Sequence, residues 1–214
     1  MNPVIRLAIG LLLTMSAGFT DAIGFVELGG YFTSFMSGNS TQLAFGLANH
    51  LAGTIALPAS LVGFFFAGGF VGSLLSLRAV SWAASTTLLF VCLLLALALL
   101  LDSLGVPAHF SLLFLAASAG AQNAVIRPSG SARLGTTYVT GTLFMASQEL
   151  AQAIYGKAPA RQWLLHLLIW LALLLGAFIG ATMHLRFGTI ALLLPLALYL
   201  LLLARALLRR GKPD

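Results

Sequence analysis

Long apolar runs recur along this chain, separated by short polar stretches. A helix rises about 1.5 Å per residue and a bilayer's hydrocarbon core is about 30 Å thick, so a crossing takes about 20 apolar residues. Six segments meet or approach that length: 5–26, 54–77, 81–101, 108–126, 163–185 and 187–207. Leu and Ala dominate them, and 54–77 carries no charge. Every backbone polar group in lipid must find its partner within the same segment, so these runs predict α-helices. Pro107 suits the first turn of one helix, whereas Pro195 falls inside the last run and predicts a kink there. Two further segments are harder to place. Residues 33–50 read TSFMSGNSTQLAFGLANH and 136–156 read TTYVTGTLFMASQELAQAIYG, both rich in Ser, Thr, Asn and Gln. They fit either full helices inside a bundle or short helices that dip in and return.

Composition sharpens this reading. The 214 residues are 60% hydrophobic and 7% charged, against about 25% charged in a soluble domain. Such a chain cannot cover a water-facing surface, which predicts an all-α polytopic membrane bundle. The formal charge of +6 does not point to nucleic acid, because the basic residues stand singly between apolar runs or gather in the tail RALLRRGK. That is how cytoplasmic loops are marked. The N-terminal run has a signal-peptide cast, but it continues without a polar break and is expected to be retained. Cys92, the single cysteine, reads as a small packing residue.

Basic residues also bear on the crossing number. If all eight segments cross, Arg6, Lys157, Arg161, Arg205, Arg209, Arg210 and Lys212 lie inside, and Arg78, Arg127, Arg133 and Arg186 lie outside. If only the six apolar segments cross, Arg186 alone lies outside. The positive-inside rule therefore favours six spans in the cytoplasmic membrane with both termini cytoplasmic, and leaves eight as the alternative.

Three blocks repeat in order. SAGFTDAIGF (16–25) matches SAGAQNAVIR (118–127), TSFMSGN (33–39) matches TTYVTGT (136–142), and GGFVGSLLSLR (68–78) matches GAFIGATMHLR (176–186). The pattern predicts two homologous halves, 1–104 and 105–214, of four helical segments each. Three crossings per half would invert the second half relative to the first, and four would leave the halves parallel. Inversion also accounts for Arg186, since it matches Arg78. Paired repeats with interrupted helices are a common transporter plan, with the site at the interface near the midplane. The corresponding segments here are 16–42 and 118–148.

The phrases GFTDAIGF, FTSFMSGNSTQLA, GAQNAV and TTYVTGTL together resemble the YoaK family of small bacterial membrane proteins, over nearly the whole chain. The resemblance implies a polytopic membrane protein and implies no particular chemistry.

Candidate chemistry rests on polar residues in apolar surroundings. Asp21 is the sharpest, because an acid within a span costs about 2.5–3.5 kcal/mol on insertion scales and faces a partner or a wet cavity. The alternative is a solvated Asp21 near the outer interface, or one that caps a helix restarting after Gly18. Its counterpart in the second half is Asn123. Glu149 lies in ASQELAQ, where Gln148, Glu149 and Gln152 share a broad helical face. Glu27 falls in an expected outer loop. Ser37 or Asn39 suits an N-cap, and a helix start inside the membrane would offer free N–H groups. Thr137, Thr140 and Thr142 would do likewise in the second half.

Glycines 63, 68, 69, 72, 176 and 180 include small-xxx-small spacings that let helices approach, and the same faces would suit a homodimer. The four histidines, 50, 109, 166 and 184, lack metal-site spacing, and no nucleotide or nucleophile motif occurs. The reading is therefore a non-enzymatic permease or facilitator for a small polar solute, without a cofactor. Asp21 and Glu149 would handle a proton or cation, and Asn39, Gln42, Gln122, Asn123 and Thr140 would contact solute. A channel, or a non-transport assembly protein using its glycine faces, are the rivals.

Overall fold

The computed structural model describes residues 3–78, 82–126 and 139–208. It is all-α. Helix α1 spans Pro3–Glu27, α2 Met36–Ala48, α3 Ala56–Arg78, α4 Ala83–Ser103, α5 Ala108–Gln122, α6 Val139–Ile154, α7 Trp163–Phe187 and α8 Leu193–Leu208. Two 3-10 turns, Ala52–Thr54 and Gly188–Leu192, precede α3 and α8. Among the described residues, four stretches of helix are long and apolar enough to cross a membrane: Val4–Glu27, Ala52–Leu77, Ala83–Ser103 and Trp163–Leu208, the last comprising α7 and α8. Phe66, Phe70, Leu77, Phe178 and Leu201 are exposed on their outer faces, as an apolar solvent requires.

Two expectations change. Gly18 and Gly120 interrupt nothing, because α1 and α5 run straight through them. The break in the first half comes later, after Glu27, where Gly29 (φ 65°) and Gly30 (φ 102°) turn the chain through backbone angles that a side chain disfavours. Pro195 does not kink a helix. The Gly188–Leu192 turn delays α8 until Leu193, so Pro195 sits in the first turn, where its missing N–H leaves no bond unmade. The basic residues Arg127, Arg133, Arg209, Arg210 and Lys212 lie outside the described residues, as does Thr137.

Glycine sets the closest contacts. A Cβ on Gly176 would lie 1.9 Å from Met15 O, and one on Gly180 2.5 Å from Phe19 O. In return, one on Gly18 would meet Leu173 O at 2.2 Å. Residue numbers rise together across this seam, so α1 and α7 are parallel. The α3–α5 seam is built at the matching positions: a Cβ on Gly68 would lie 2.0 Å from Ala117 O, one on Gly72 3.0 Å from Ala121 Cα, and one on Gly120 2.1 Å from Phe65 O. These two helices are also parallel.

The two pairs oppose each other. Gln122 Nε2 donates to Leu13 O at 2.9 Å, and one turn further on Ile126 Cδ1 comes within 3.7 Å of a Cβ on Gly10. As α5 advances, its contacts move back along α1. Thr189 Oγ1 donates to the Asp102 carboxylate, which puts the end of α4 beside the entry to α8 and makes those helices antiparallel too. It follows that α3 begins at the end of the bundle where α1 finishes, and α7 begins where α5 finishes. Helix α2 therefore lies in a connection that leaves and returns at one end, and α6 in a connection that does the same at the other.

Helix α5 is the innermost element, buried almost continuously from Ser111 to Gln122. Its Leu112, Leu115 and Ala116 join Leu88, Val91 and Leu95 of α4, Leu13 and Ile23 of α1, and Tyr199 and Leu202 of α8 in one core. Cys92 is part of that core. Phe64 and Phe114 meet edge to face at 5.5 Å across the α3–α5 seam.

Gly176→Ala and Gly68→Ala should each destabilise the purified protein by about 1–3 kcal/mol, since a backbone carbonyl already occupies the place of the new methyl. A Cβ on Gly63 meets nothing within 4 Å, so Gly63→Ala should be neutral or stabilising by up to about 1 kcal/mol. Reversible unfolding in mixed micelles measures both. Equal behaviour of the three variants would refute the seam.

Candidate functional site

Three of the expected site residues converge on one loop. Asp21 Oδ1 accepts from Thr33 N (2.8 Å), Thr33 Oγ1 (2.9 Å) and Ser34 N (2.6 Å), and Oδ2 accepts from Ser34 Oγ (2.6 Å). Asn39 accepts from Phe32 N at 3.0 Å and donates to Phe32 O at 2.6 Å. Gln42 Nε2 donates to Gly30 O at 2.8 Å. Four donors to a carboxylate, each bond worth about 1.5–3 kcal/mol, offset the insertion cost of one acid. Asp21 is thus the anchor of residues 30–34 and not a cap for a restarting helix. Nor does Asn39 cap α2: the N-cap is Phe35, with no side-chain bond, and Asn39 turns back to the loop. A Cβ on Gly24 would come 2.5 Å from Thr33 Cγ2, so the loop also lies against α1. Phe32 meets Phe25 and Phe35 at ring-centre distances of 5.3 and 5.2 Å.

A second polar group sits deeper. Ser16 Oγ donates to Tyr199 Oη at 2.7 Å, and that hydroxyl donates to Gln122 Oε1. Gln122 Nε2 in turn donates to Leu13 O. All three side chains are buried. The network joins α1, α5 and α8 about 8–12 Å along α1 from Asp21, at the crossing of the two helix pairs. Its donors and acceptors satisfy one another, as a buried network must. Ser118, which matches Ser16 in the repeated phrase, donates through Oγ to Val91 O of α4 at 3.1 Å.

Glu149 belongs to neither group. It is buried on α6 while Gln148 and Gln152 are exposed, so the three do not share an inward face. The α6 helix packs on one side only, and a helix so placed buries a narrow stripe. Glu149 Oε1 accepts from Gln162 Nε2 at 3.1 Å and lies 3.3 Å from His166 Nε2 of α7. The α1–α7 register places His166 level with residue 5 of α1. Glu149 is therefore near the opposite end of that pair from Asp21, about 24 Å along the axis. The two acids do not form one site. Glu27 closes α1 and faces His184 Nε2 at 3.3 Å.

Asn123 donates to Ala119 O at 3.0 Å, just beyond the end of α5. Thr140 is exposed on the first turn of α6 and joins none of the three groups. Sequence reasoning missed Ser16, Tyr199, Gln162, His166 and His184. Tyr199 had a signal, a lone hydroxyl in the run LALYLLLLARALL. His166 and His184 had another: eighteen residues is five full turns, which puts both on one face of α7.

A family model described as a protein of unknown function, DUF1275, matches residues 9–205. The UPF0700 transmembrane protein RA0705 of Rhizobium meliloti (strain 1021) is 36% identical over 202 residues, covering 94% of this chain and 86% of that one. The UPF0700 transmembrane protein YoaK of Bacillus subtilis (strain 168) is 25% identical over 165 residues, covering 72% of this chain and 71% of that one. No solved structure gives a significant match.

Asp21→Ala removes the acceptor for two amides and two hydroxyls of the loop. Hydrogen exchange over residues 28–39 should speed up about 10–100-fold, the equivalent of about 1–3 kcal/mol. Exchange in α4 should stay as in the parent. Unchanged exchange in the loop would show that Asp21 does not hold it.

Proposed function

We propose that this chain, which belongs to the DUF1275 family that includes YoaK, is a secondary permease or facilitator for a small polar solute. We place it in the cytoplasmic membrane with six crossings and both termini cytoplasmic. One observation carries the reading. The α1–α7 and α3–α5 seams are made at matching glycines, yet the two pairs point in opposite directions. That is the relation expected of an inverted repeat, with residues 1–104 and 105–214 as its halves. Helices α2 and α6, returning to opposite ends, then take the place of the polar re-entrant segments of such a design.

In this reading each parallel pair moves as a unit, because backbone-to-backbone contact at glycine leaves no room to slide. Motion occurs at the seam between pairs. There the Ser16–Tyr199–Gln122 network makes contacts that a solute's hydroxyl or amide groups can take over. A neutral hydrogen bond contributes only about 0.5–1.5 kcal/mol net, so exchanging one protein partner for a solute is nearly isoenergetic. Separating interlocked apolar side chains has no such substitute. Gln122 is the residue we assign to solute contact, with Ser16 and Tyr199 beside it. Asp21, Asn39 and Gln42 shape the closure at one end of the path, and Asn123 and Thr140 are assigned to the corresponding end of the second half.

Crossing number is directly testable in a Cys92→Ser background. Six spans put Ser103→Cys outside and Trp82→Cys inside, whereas eight spans reverse both. Labelling of intact cells with a membrane-impermeant maleimide should mark Ser103→Cys alone, and the reverse pattern would overturn the inverted arrangement.

Transport itself can be tested without knowing the solute. Proteoliposomes incubated with a uniformly 13C-labelled extract of polar metabolites should enclose at least one compound above the level in protein-free vesicles. Gln122→Ala should cut that uptake about tenfold while the fold is retained. If no compound enters above background, the permease reading is wrong.

A further inference from the structure

We propose that Glu149 and His166 form the proton-binding site of the chain, and that the proton they take up is the coupling ion for transport. The proposal rests on the permease reading for its second part only.

Glu149 Oε1 is occupied by Gln162 Nε2 and His166 Nε2, but the buried Oε2 has no partner among the described residues. His166 Nδ1 is likewise buried without a partner there. A neutral imidazole that keeps its proton on Nε2, 3.3 Å from the carboxylate, has Nδ1 as a bare acceptor. A pair with two empty, water-excluded acceptor atoms is electrostatically incomplete, since buried polar atoms are normally satisfied. One proton on Oε2 removes the buried charge and leaves a neutral acid beside a neutral imidazole. The proton comes from water at the adjoining face, and no covalent bond other than the one to the proton is made or broken.

Neither Asp21 nor Glu27 fits this role. Both oxygens of Asp21 are taken by four donors. Glu27 is 29% exposed at its side chain, against 8% for Glu149, so water can reach it. Its pairing with His184 nevertheless repeats the arrangement at the other end of α7, down to a buried His184 Nδ1 without a partner among the described residues. The two histidines lie on one face of α7 about 27 Å apart, close to the thickness of the hydrocarbon core. Around Glu149 and His166 the remaining charged groups are few. Arg6 of α1 lies level with residue 167 by the α1–α7 register, and Lys157 and Arg161 are exposed in the α6–α7 connection. Asp21, Glu27, His184 and Arg186 belong to the far end of α7.

Infrared difference spectra of the full chain in nanodiscs, taken between about pH 8 and about pH 5, read the site directly. A protonated-carboxyl band should appear on acidification, vanish in Glu149→Gln, shift in His166→Asn and persist in Glu27→Gln. Absence of the band, or its survival in Glu149→Gln, overturns the site. The coupling is read separately, in proteoliposomes incubated with the labelled metabolite extract. An inward proton gradient should raise uptake severalfold in the parent and not in Glu149→Gln. Uptake that ignores the gradient overturns the coupling and leaves the permease reading standing. No uptake at all sinks the permease reading, and with it the coupling, while the spectra alone decide the proton site.

Discussion

The close approach of backbones at glycine underlies this architecture. In lipid no hydrophobic force separates a helix's inner face from its outer face, so contact distance decides which helices associate. At Gly176 and Gly68 a carbonyl of the neighbouring helix occupies the space of a methyl group. Those contacts tie α1 to α7 and α3 to α5, helices far apart in sequence. Each half of the chain lends one helix to each pair, so neither half can form its tightest contacts alone.

Polar chemistry is confined to what remains. Asp21, Asn39 and Gln42 are consumed in ordering residues 30–34, where four donors make an acid tolerable at the end of a span. Ser16, Tyr199 and Gln122 satisfy one another where the pairs cross. Glu149 and His166 differ from both groups, because each keeps a buried atom without a partner among the described residues. The contrast separates polar residues whose bonds hold the fold from a pair whose bonds are incomplete.

Much of this was legible beforehand. Helix positions followed from apolar runs, and the observed ends agree to within a few residues except at α8, whose start the Gly188–Leu192 turn delays to Leu193. Gly68, Gly72, Gly176 and Gly180 were recognisable as contact residues from their spacing alone. The candidate site was read less well. Asp21 and Glu149 are alike in the sequence as acids in apolar surroundings, but the α1–α7 register puts them at opposite ends. Helical spacing sets Gln148 and Gln152 on the same broad face as Glu149, but spacing does not say which part of a face is covered.

Sequence by itself determined that the chain is a membrane protein, where its helices lie and which small residues let them touch. Each of these depends on local composition: a run too apolar for water, or a residue with no side chain to obstruct a neighbour. Only the tertiary structure decided the direction of each helix, the donors that saturate Asp21 and the pairing of Glu149 with His166. Those depend on how helices rotate about their own axes. In spans that are apolar all round, nothing in the residue pattern records that rotation, and it is set by which distant backbone comes close.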